Sequence, residues 1–196
     1  MCVFYLVRHG KTEYNTVNRM QGWNDSPLLP EGISLARKVG NGLAGIEFAK
    51  AYTSPVGRSK DTAKVVLGER DIELVDDEAF RECHFGSLEG ETFHRSEGST
   101  IIDLFKKGYH EYGGEDYDDL MKRVKDKMLL IAKQYPDDNV LIFTHGGVVA
   151  CLGYSLMNEE DRKQIIWAPR NCSVAIIECK EGRFMLLDYD NIDYQQ

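Results

Sequence analysis

Two short runs, Val3-Phe4-Tyr5-Leu6-Val7 and Val140-Leu141-Ile142-Phe143, are apolar at every position and rich in β-branched and aromatic residues. A strand with one face in water alternates apolar and polar residues, so an unbroken run demands burial on both faces. That is the condition of a central strand in a parallel sheet covered by helices. The sequence between the runs alternates as such a sheet requires: a helix over 31–43, a strand over 48–52, and a helix opened by Ser54 as cap and Pro55 as first residue. Over 117–135, Leu120, Val124, Met128, Ile131 and Tyr135 recur at helical spacing with Lys and Asp between them, a stripe that faces a core. An apolar helix over 147–157 follows the second run. Segments 173–178 and 184–187, separated by Glu181-Gly182, read as a closing hairpin or a pair of strands. The stretches 81–97 and 108–116, rich in Gly and charge, read as loops. The order is that of an α/β protein.

With 196 residues the chain can bury one substantial core, and no Pro- or Ser-rich stretch or repeat divides it, so a single domain over 1–196 is expected. The apolar runs are far shorter than the ~20 residues of a membrane span. No basic segment precedes an apolar stretch after Met1, which predicts a cytoplasmic protein. The five cysteines are odd in number and lack CxxC spacing, against both a disulfide framework and a zinc site. A net charge of −8 would repel a nucleic-acid backbone. Any anionic ligand must therefore be held by a local cluster of positive groups.

Ligands of open α/β sheets bind at the carboxyl ends of the strands. Here the two most apolar strands run into Arg8-His9-Gly10 and Thr144-His145-Gly146-Gly147. If they lie side by side and parallel, His9 and His145 meet at one edge. Arg8 sets a permanent cation beside His9, and Gly10 lets the backbone approach an anion and offers an amide donor. Arg58 falls one turn into the helix opened by Ser54-Pro55, where the helix dipole also favours anions. Two guanidinium forks suit the equatorial oxygens of a transferring phosphoryl group. A neutral imidazole whose opposite nitrogen keeps its proton is a competent nucleophile, a role assigned to His9; His145, as a donor, suits phosphoryl charge in the transition state. Glu82 is the candidate proton donor and later base, in competition with Asp77, Glu78, Glu89 and Glu91. His94 and His110 read as surface residues and His84 as a rim residue, while Asp116, Asp118 and Asp119 read as a helix cap and solvated face.

These residues resemble those of the histidine phosphatase superfamily, the phosphoglycerate-mutase-like enzymes. The likeness runs through Arg8-His9-Gly10-x-Thr12-x-x-Asn15, Gln21-Gly22-Trp23, Leu29 with Gly32, Ser54-Pro55-x-x-Arg58-Ser59-x-x-Thr62-Ala63, Glu82-x-x-Phe85-Gly86-x-Leu88-Glu89-Gly90, Gly113-Gly114-Glu115 and Thr144-His145-Gly146-Gly147, nearly the whole chain in order. It implies a three-layer α/β/α sandwich with a mostly parallel central sheet. It also implies a phosphohistidine at His9, phosphate contacts from Arg8, Arg58 and His145, acid–base duty at Glu82, binding roles for Asn15, Gln21 and Gly22 beside the Gly10 and Gly146 backbone, and no metal or other cofactor. The substrate is then a small phosphorylated metabolite.

Cofactor-dependent phosphoglycerate mutases of this family carry Thr-Gly-Trp at Gln21-Gly22-Trp23 and Glu-Arg-His-Tyr-Gly at Glu82-Cys83-His84-Phe85-Gly86. They also have an inserted segment with paired arginines before the Gly-Gly-Glu element. This chain lacks that pair, so a bisphosphorylated intermediate would have fewer cations to retain it, and Phe85 with the run from Gly86 to Gly90 is similar to the small phosphatases. Hydrolysis of phosphate monoesters is the expected activity, mutase activity the alternative, and a catalytically inactive binding module the lesser alternative. Because Arg8, Arg58, His9 and His145 supply the positive field that metal ions provide in other phosphoryl-transfer sites, prolonged chelation is expected to leave turnover of a phosphate ester unchanged. A loss restored by zinc, magnesium or manganese would contradict that expectation.

Overall fold

The computed structural model describes residues 1–94, 97–163, 165 and 168–196. Its strands are β1 (Cys2–Arg8), β2 (Lys50–Thr53), β3 (Leu74–Asp76), β4 (Asn139–Thr144), β5 (Val174–Lys180) and β6 (Arg183–Asn191), joined in one sheet of order β3-β2-β4-β1-β5-β6. β1, β2, β3 and β4 run parallel, β5 runs antiparallel to β1, and β6 antiparallel to β5. The helices are α1 (Glu13–Thr16), α2 (Pro30–Gly42), α3 (Gly57–Leu67), α4 (Ile101–Lys107), α5 (Tyr117–Gln134), α6 (Gly146–Leu156) and α7 (Glu159–Arg162).

The unbroken apolar runs are explained by what lies on each face. Phe4 and Leu6 of β1 and Val140 and Ile142 of β4 point into a core closed by Ile102 and Phe105 of α4, Leu120, Val124 and Met128 of α5, and Val148 and Leu152 of α6. Val7, Leu141 and Phe143, on the opposite face, pack against Ala36, Val39 and Leu43 at α2 and Ala63, Val66 and Leu67 of α3. The architecture is the expected sandwich: helices, a mostly parallel sheet, helices. No helix among the described residues is long and apolar enough to cross a membrane.

Two local details differ from the sequence reading. The helix after β2 begins at Gly57, not at Pro55, because Val56 is still extended (ψ 138°) and the Ser54 side chain is committed elsewhere, to His145. An acidic group from another loop serves its open end instead: Asp25 Oδ1 accepts the Arg58 amide at 3.1 Å. The sequence reading also passed over β3 and α4, although Thr100 and Asp103 form a reciprocal capping box at the start of α4. The hairpin between β5 and β6 turns at Glu181 and Gly182, both with positive φ (51° and 76°), as a tight two-residue turn demands.

β1 and β4 lie side by side in parallel register that ends on the pair Arg8–Thr144, and the His9 amide donates to the Thr144 carbonyl at 3.0 Å. This register carries both histidines to one edge of the sheet.

Candidate active site

At that edge the His9 and His145 rings lie 5.3 Å apart, centroid to centroid, and both are buried. His9 Nδ1 is 2.7 Å from the Gly10 carbonyl. A carbonyl only accepts, so Nδ1 carries the proton and Nε2 keeps its lone pair. Burial first, then the Arg58 and Arg8 guanidiniums, hold the His9 pKa well below its ordinary 6.5. His145 is depressed in the same way, by burial and then by Arg58.

Arg58, 1% exposed, extends from the first turn of α3 into the centre of the site. Its Nη1 donates to the Asn24 carbonyl at 2.6 Å, and its Nη2 to the Gly22 carbonyl at 2.7 Å and to His145 Nδ1 at 3.0 Å. Since arginine cannot accept, Nδ1 of His145 is the acceptor and its proton sits on Nε2, which donates to Ser54 Oγ at 2.7 Å. Both nitrogens of His145 are thus in use, and the ring stands behind Arg58. Arg8 Nη1 donates to the Pro169 carbonyl. Burial lowers the pKa of both arginines, that of Arg58 to about 10, opposed by the nearby Glu82. A pKa of about 10 keeps Arg58 cationic near neutrality. Nε of Arg8 and Nε of Arg58 are buried and have no hydrogen-bond partner among the described residues.

Glu82 closes the other side. Its Oε1 accepts the Cys83 amide at 2.9 Å, and its Oε2 accepts the Gly147 amide of α6 at 2.8 Å. A side chain at the Gly147 position would meet Glu82 Oε1 at 2.4 Å, and one at Gly146 would crowd Arg8 Nε at 3.1 Å. The Glu82 carbonyl is held by Trp23 Nε1 at 3.0 Å and Arg123 Nη2 at 2.9 Å, with Arg123 fixed in turn by Glu115 at 2.7 and 2.9 Å.

A cavity of about 270 Å³ is lined by Arg8, His9, Asn15, Gln21, Gly22, Arg58, Glu82, Gly146 and Gly147, together with Asn18, Arg19, Met20, Phe85, Phe93, Ile101, Phe105 and Ala168. A larger depression of about 660 Å³ at the opposite ends of the strands has Arg70 in its lining. That guanidinium is already bound to the Leu43 and Ile46 carbonyls. Size therefore does not select the site; the convergent unpaired donors do.

Of the residues singled out from sequence, two are placed differently. His145, expected to donate to phosphoryl oxygens, is not among the cavity-lining residues, and its ring nitrogens are engaged by Arg58 and Ser54. Gly10 does not offer its amide to a ligand, because that N–H donates to Thr62 Oγ1 at 2.9 Å. Gly10 supplies the carbonyl that orients His9 and a backbone that passes within 2.9 Å of the Gly32 carbonyl, measured from where a Cβ would stand. Asn15 Oδ1 accepts from the Thr12 amide and from Asn171 Nδ2, and the one Thr12 hydroxyl proton is shared between Asn15 Oδ1 at 3.2 Å and Gln21 Oε1 at 3.1 Å. His94 is exposed, as expected. His110 is exposed too, but paired, with Nε2 2.7 Å from Asp119 Oδ2. His84 stacks on Trp23 at 4.3 Å. Sequence reasoning missed Ser54 as the partner of His145, Asn171, whose Nδ2 donates to the His9 carbonyl at 3.0 Å, and Arg123, which carries no motif signal.

An α/β/α sandwich with two histidines and two buried arginines converging at the ends of adjacent parallel strands is the frame of an enzyme that handles phosphate esters. The sequence profile of the histidine phosphatase superfamily (branch 1) matches residues 4–192, and the chain belongs to that family. It is 31% identical over 163 residues, 75% of this chain and 76% of the relative, to a 2,3-bisphosphoglycerate-dependent phosphoglycerate mutase of Parvibaculum lavamentivorans. Among solved structures it is similar to Bacillus stearothermophilus YhfR, with TM-score 0.83, 34% identity and all of both chains covered. It is also similar to a phosphoserine phosphatase mutant of Entamoeba histolytica in complex with phosphoserine, with TM-score 0.80, 25% identity and 99% of both chains covered.

Two imidazoles held neutral by burial have a consequence for stability. A histidine whose folded pKa lies below its unfolded value of 6.5 is protonated first in the unfolded chain, so acid favours unfolding. Above that value the contribution is flat. Below it, stability is expected to fall by up to ~1.4 kcal/mol per pH unit for each ring. Urea unfolding between pH 5 and 8 measures it, and His9→Asn should remove about one proton from the slope.

Proposed function

We propose that this chain is a phosphatase that hydrolyses small phosphate monoesters through a phosphohistidine on His9, working as a single domain in the cytoplasm without a metal or other cofactor. The observation that carries the reading is the combination at the His9 ring. Its Nδ1 is fixed on the Gly10 carbonyl while two buried guanidinium nitrogens of cavity-lining arginines have no partner among the described residues. A phosphoryl group placed there receives donors from Arg8 and Arg58 and meets the lone pair of Nε2.

Nε2 forms a bond to phosphorus as the ester P–O bond breaks, and Glu82 in its protonated form gives the leaving oxygen its proton. The resulting Glu82 carboxylate then takes a proton from water, whose oxygen attacks phosphorus and breaks the P–N bond, releasing phosphate. Arg8 and Arg58 follow the phosphoryl oxygens through both steps. His145 holds Arg58 Nη2 in place. Donation from His145 itself requires a proton on Nδ1, which the negative charge of a bound ester favours.

A mutase must keep a second phosphate group bound while the first is on the histidine. With Arg8 and Arg58 occupied by the transferring group, the remaining arginine among the described lining residues is Arg19, and beside it stand Met20, Phe93 and Ile101. This supports hydrolysis. Mutase activity is the second reading, favoured by the name of the Parvibaculum relative. Phosphate release from a set of phosphorylated metabolites, measured alongside conversion of 3- to 2-phosphoglycerate, separates the two.

Rapid quench with labelled ester is expected to leave acid-labile, alkali-stable phosphate on His9, and His9→Ala to be inactive. Label on any other residue would falsify this reading. Glu82→Gln, which keeps size but cannot give up a carboxyl proton, is expected to slow phosphorylation of His9 by an alkyl ester by on the order of a hundredfold or more. A nitrophenyl ester, whose phenolate leaves unprotonated, should be slowed far less in the same burst phase. Equal slowing would remove Glu82 from the acid role.

A further inference from the structure

We infer that Glu89 is a positioning residue for the phosphate site, acting on Arg58 through a single peptide group. The inference rests on the reading of Arg58 as a phosphate ligand. The Glu89 side chain is only 8% exposed and is not among the groups that line the cavity. Its Oε1 accepts the Trp23 amide at 2.9 Å and the Phe85 amide at 3.1 Å, and its Oε2 accepts the Asn24 amide at 2.9 Å. One carboxylate thus joins the strap at Gly22, Trp23 and Asn24 to its own loop.

The Trp23 amide and the Gly22 carbonyl belong to the same peptide unit. In a trans peptide these two groups point in opposite directions. The unit therefore has Glu89 on one side and Arg58 on the other, with Gly22 O accepting Arg58 Nη2 at 2.7 Å. Asn24 also touches both partners, but through two successive peptide units: its amide, in the Trp23–Asn24 unit, goes to Glu89 Oε2, and its carbonyl, in the Asn24–Asp25 unit, accepts Arg58 Nη1 at 2.6 Å. A carboxylate on the N–H side also polarises the peptide and makes its carbonyl a better acceptor for a guanidinium.

Gly22 is adapted to this contact. Its φ is +54°, and a Cβ there would lie 2.3 Å from Glu89 Oε1, so a side chain is excluded by conformation and by the carboxylate together. Trp23 itself stacks on His84, whose Nε2 lies 3.7 Å from Glu89 Oε1, and receives the Arg81 guanidinium at 4.8 Å, which leaves little freedom for the peptide to turn. Without Glu89 the strap amides lose their acceptor and the Gly22 carbonyl loses the contact that sets its direction, while Arg58 keeps the Asn24 carbonyl, His145 Nδ1 and Asp25 as partners.

The test is a double-mutant cycle read by calorimetric binding of inorganic phosphate, which does not depend on turnover. Glu89→Gln, which sets an NH2 group against an amide N–H, is expected to weaken phosphate binding by on the order of tenfold. Arg58→Ala should weaken it at least as much. In the Arg58→Ala background Glu89→Gln should then cost less than about twofold, because its effect passes through the missing guanidinium. Wild-type binding in Glu89→Gln, or losses that multiply in the double variant, would overturn the inference while leaving the site intact. Wild-type binding in Arg58→Ala would instead overturn the phosphate site itself. If Glu89→Gln does not fold, Glu89→Asp, too short to span the amides of both loops, is put through the same cycle with the same outcomes expected.

Discussion

Two guanidinium groups buried beside two imidazoles set the terms for everything at this edge of the sheet. A buried cation is costly unless it is paired and hydrogen-bonded, and a second of the same sign makes it costlier. The chain offsets that cost with the Glu82 carboxylate, with the carbonyls of Gly22, Asn24 and Pro169, and with Asp25 at the rim. The offset is incomplete, since the buried Nε of each arginine is unpaired among the described residues. On the proposed reading an oxyanion supplies what these donors lack, and the energy of its binding draws on a deficit built into the fold.

Burial first, and then the same cations, govern the histidines. A ring that shares a buried space with Arg8 and Arg58 is held neutral, and a neutral ring has a lone pair to offer. Which nitrogen offers it is settled by backbone: the Gly10 carbonyl takes the proton of Nδ1, and the Gly10 amide is itself tied to Thr62 Oγ1. Electrostatics thus fixes the protonation state of His9, and the turn after β1 fixes its tautomer. His145 faces the same field, but Arg58 occupies its Nδ1 and Ser54 its Nε2, which makes it a buttress in this geometry.

Much of this was legible in the sequence because strand ends and cationic clusters leave local marks. The unbroken runs gave away β1 and β4, and the His-Gly pairs that follow them located the edge, since a parallel neighbour must bring equivalent positions together. What stayed hidden depends on contacts between distant segments. Gly10 was expected to donate to a ligand, yet a hydroxyl 52 residues away takes its amide. Ser54 looked like a helix cap until His145, 91 residues on, claimed it. Arg123 lies in an amphipathic helix where any long polar residue fits the pattern, and only the structure brings it to the carbonyls of Ala79, Arg81 and Glu82. Glu89 stood among several acids of one loop with nothing in the spacing to separate it from Glu82.

The two halves of the cavity are built in different ways, and that division bears on why relatives of such similar fold carry different activities in their names. The end at His9 is made from strand termini and helix starts: Arg8 as the last residue of β1 and His9 just after it, Arg58 in the first turn of α3, Gly146 and Gly147 at the head of α6. Sheet register and core packing hold these positions, so they are fixed as firmly as the fold. The rest of the wall is made from Asn18, Arg19, Met20 and Phe93 in irregular segments and from Ile101 and Phe105 of the seven-residue α4. Loops and short helices tolerate change that strands do not. A frame of this kind keeps the chemistry at the histidine constant while the wall that meets the leaving group changes. On the reading proposed above, an apolar wall with few cations favours release of the phosphorylated product, and a cationic one favours holding it for a second transfer.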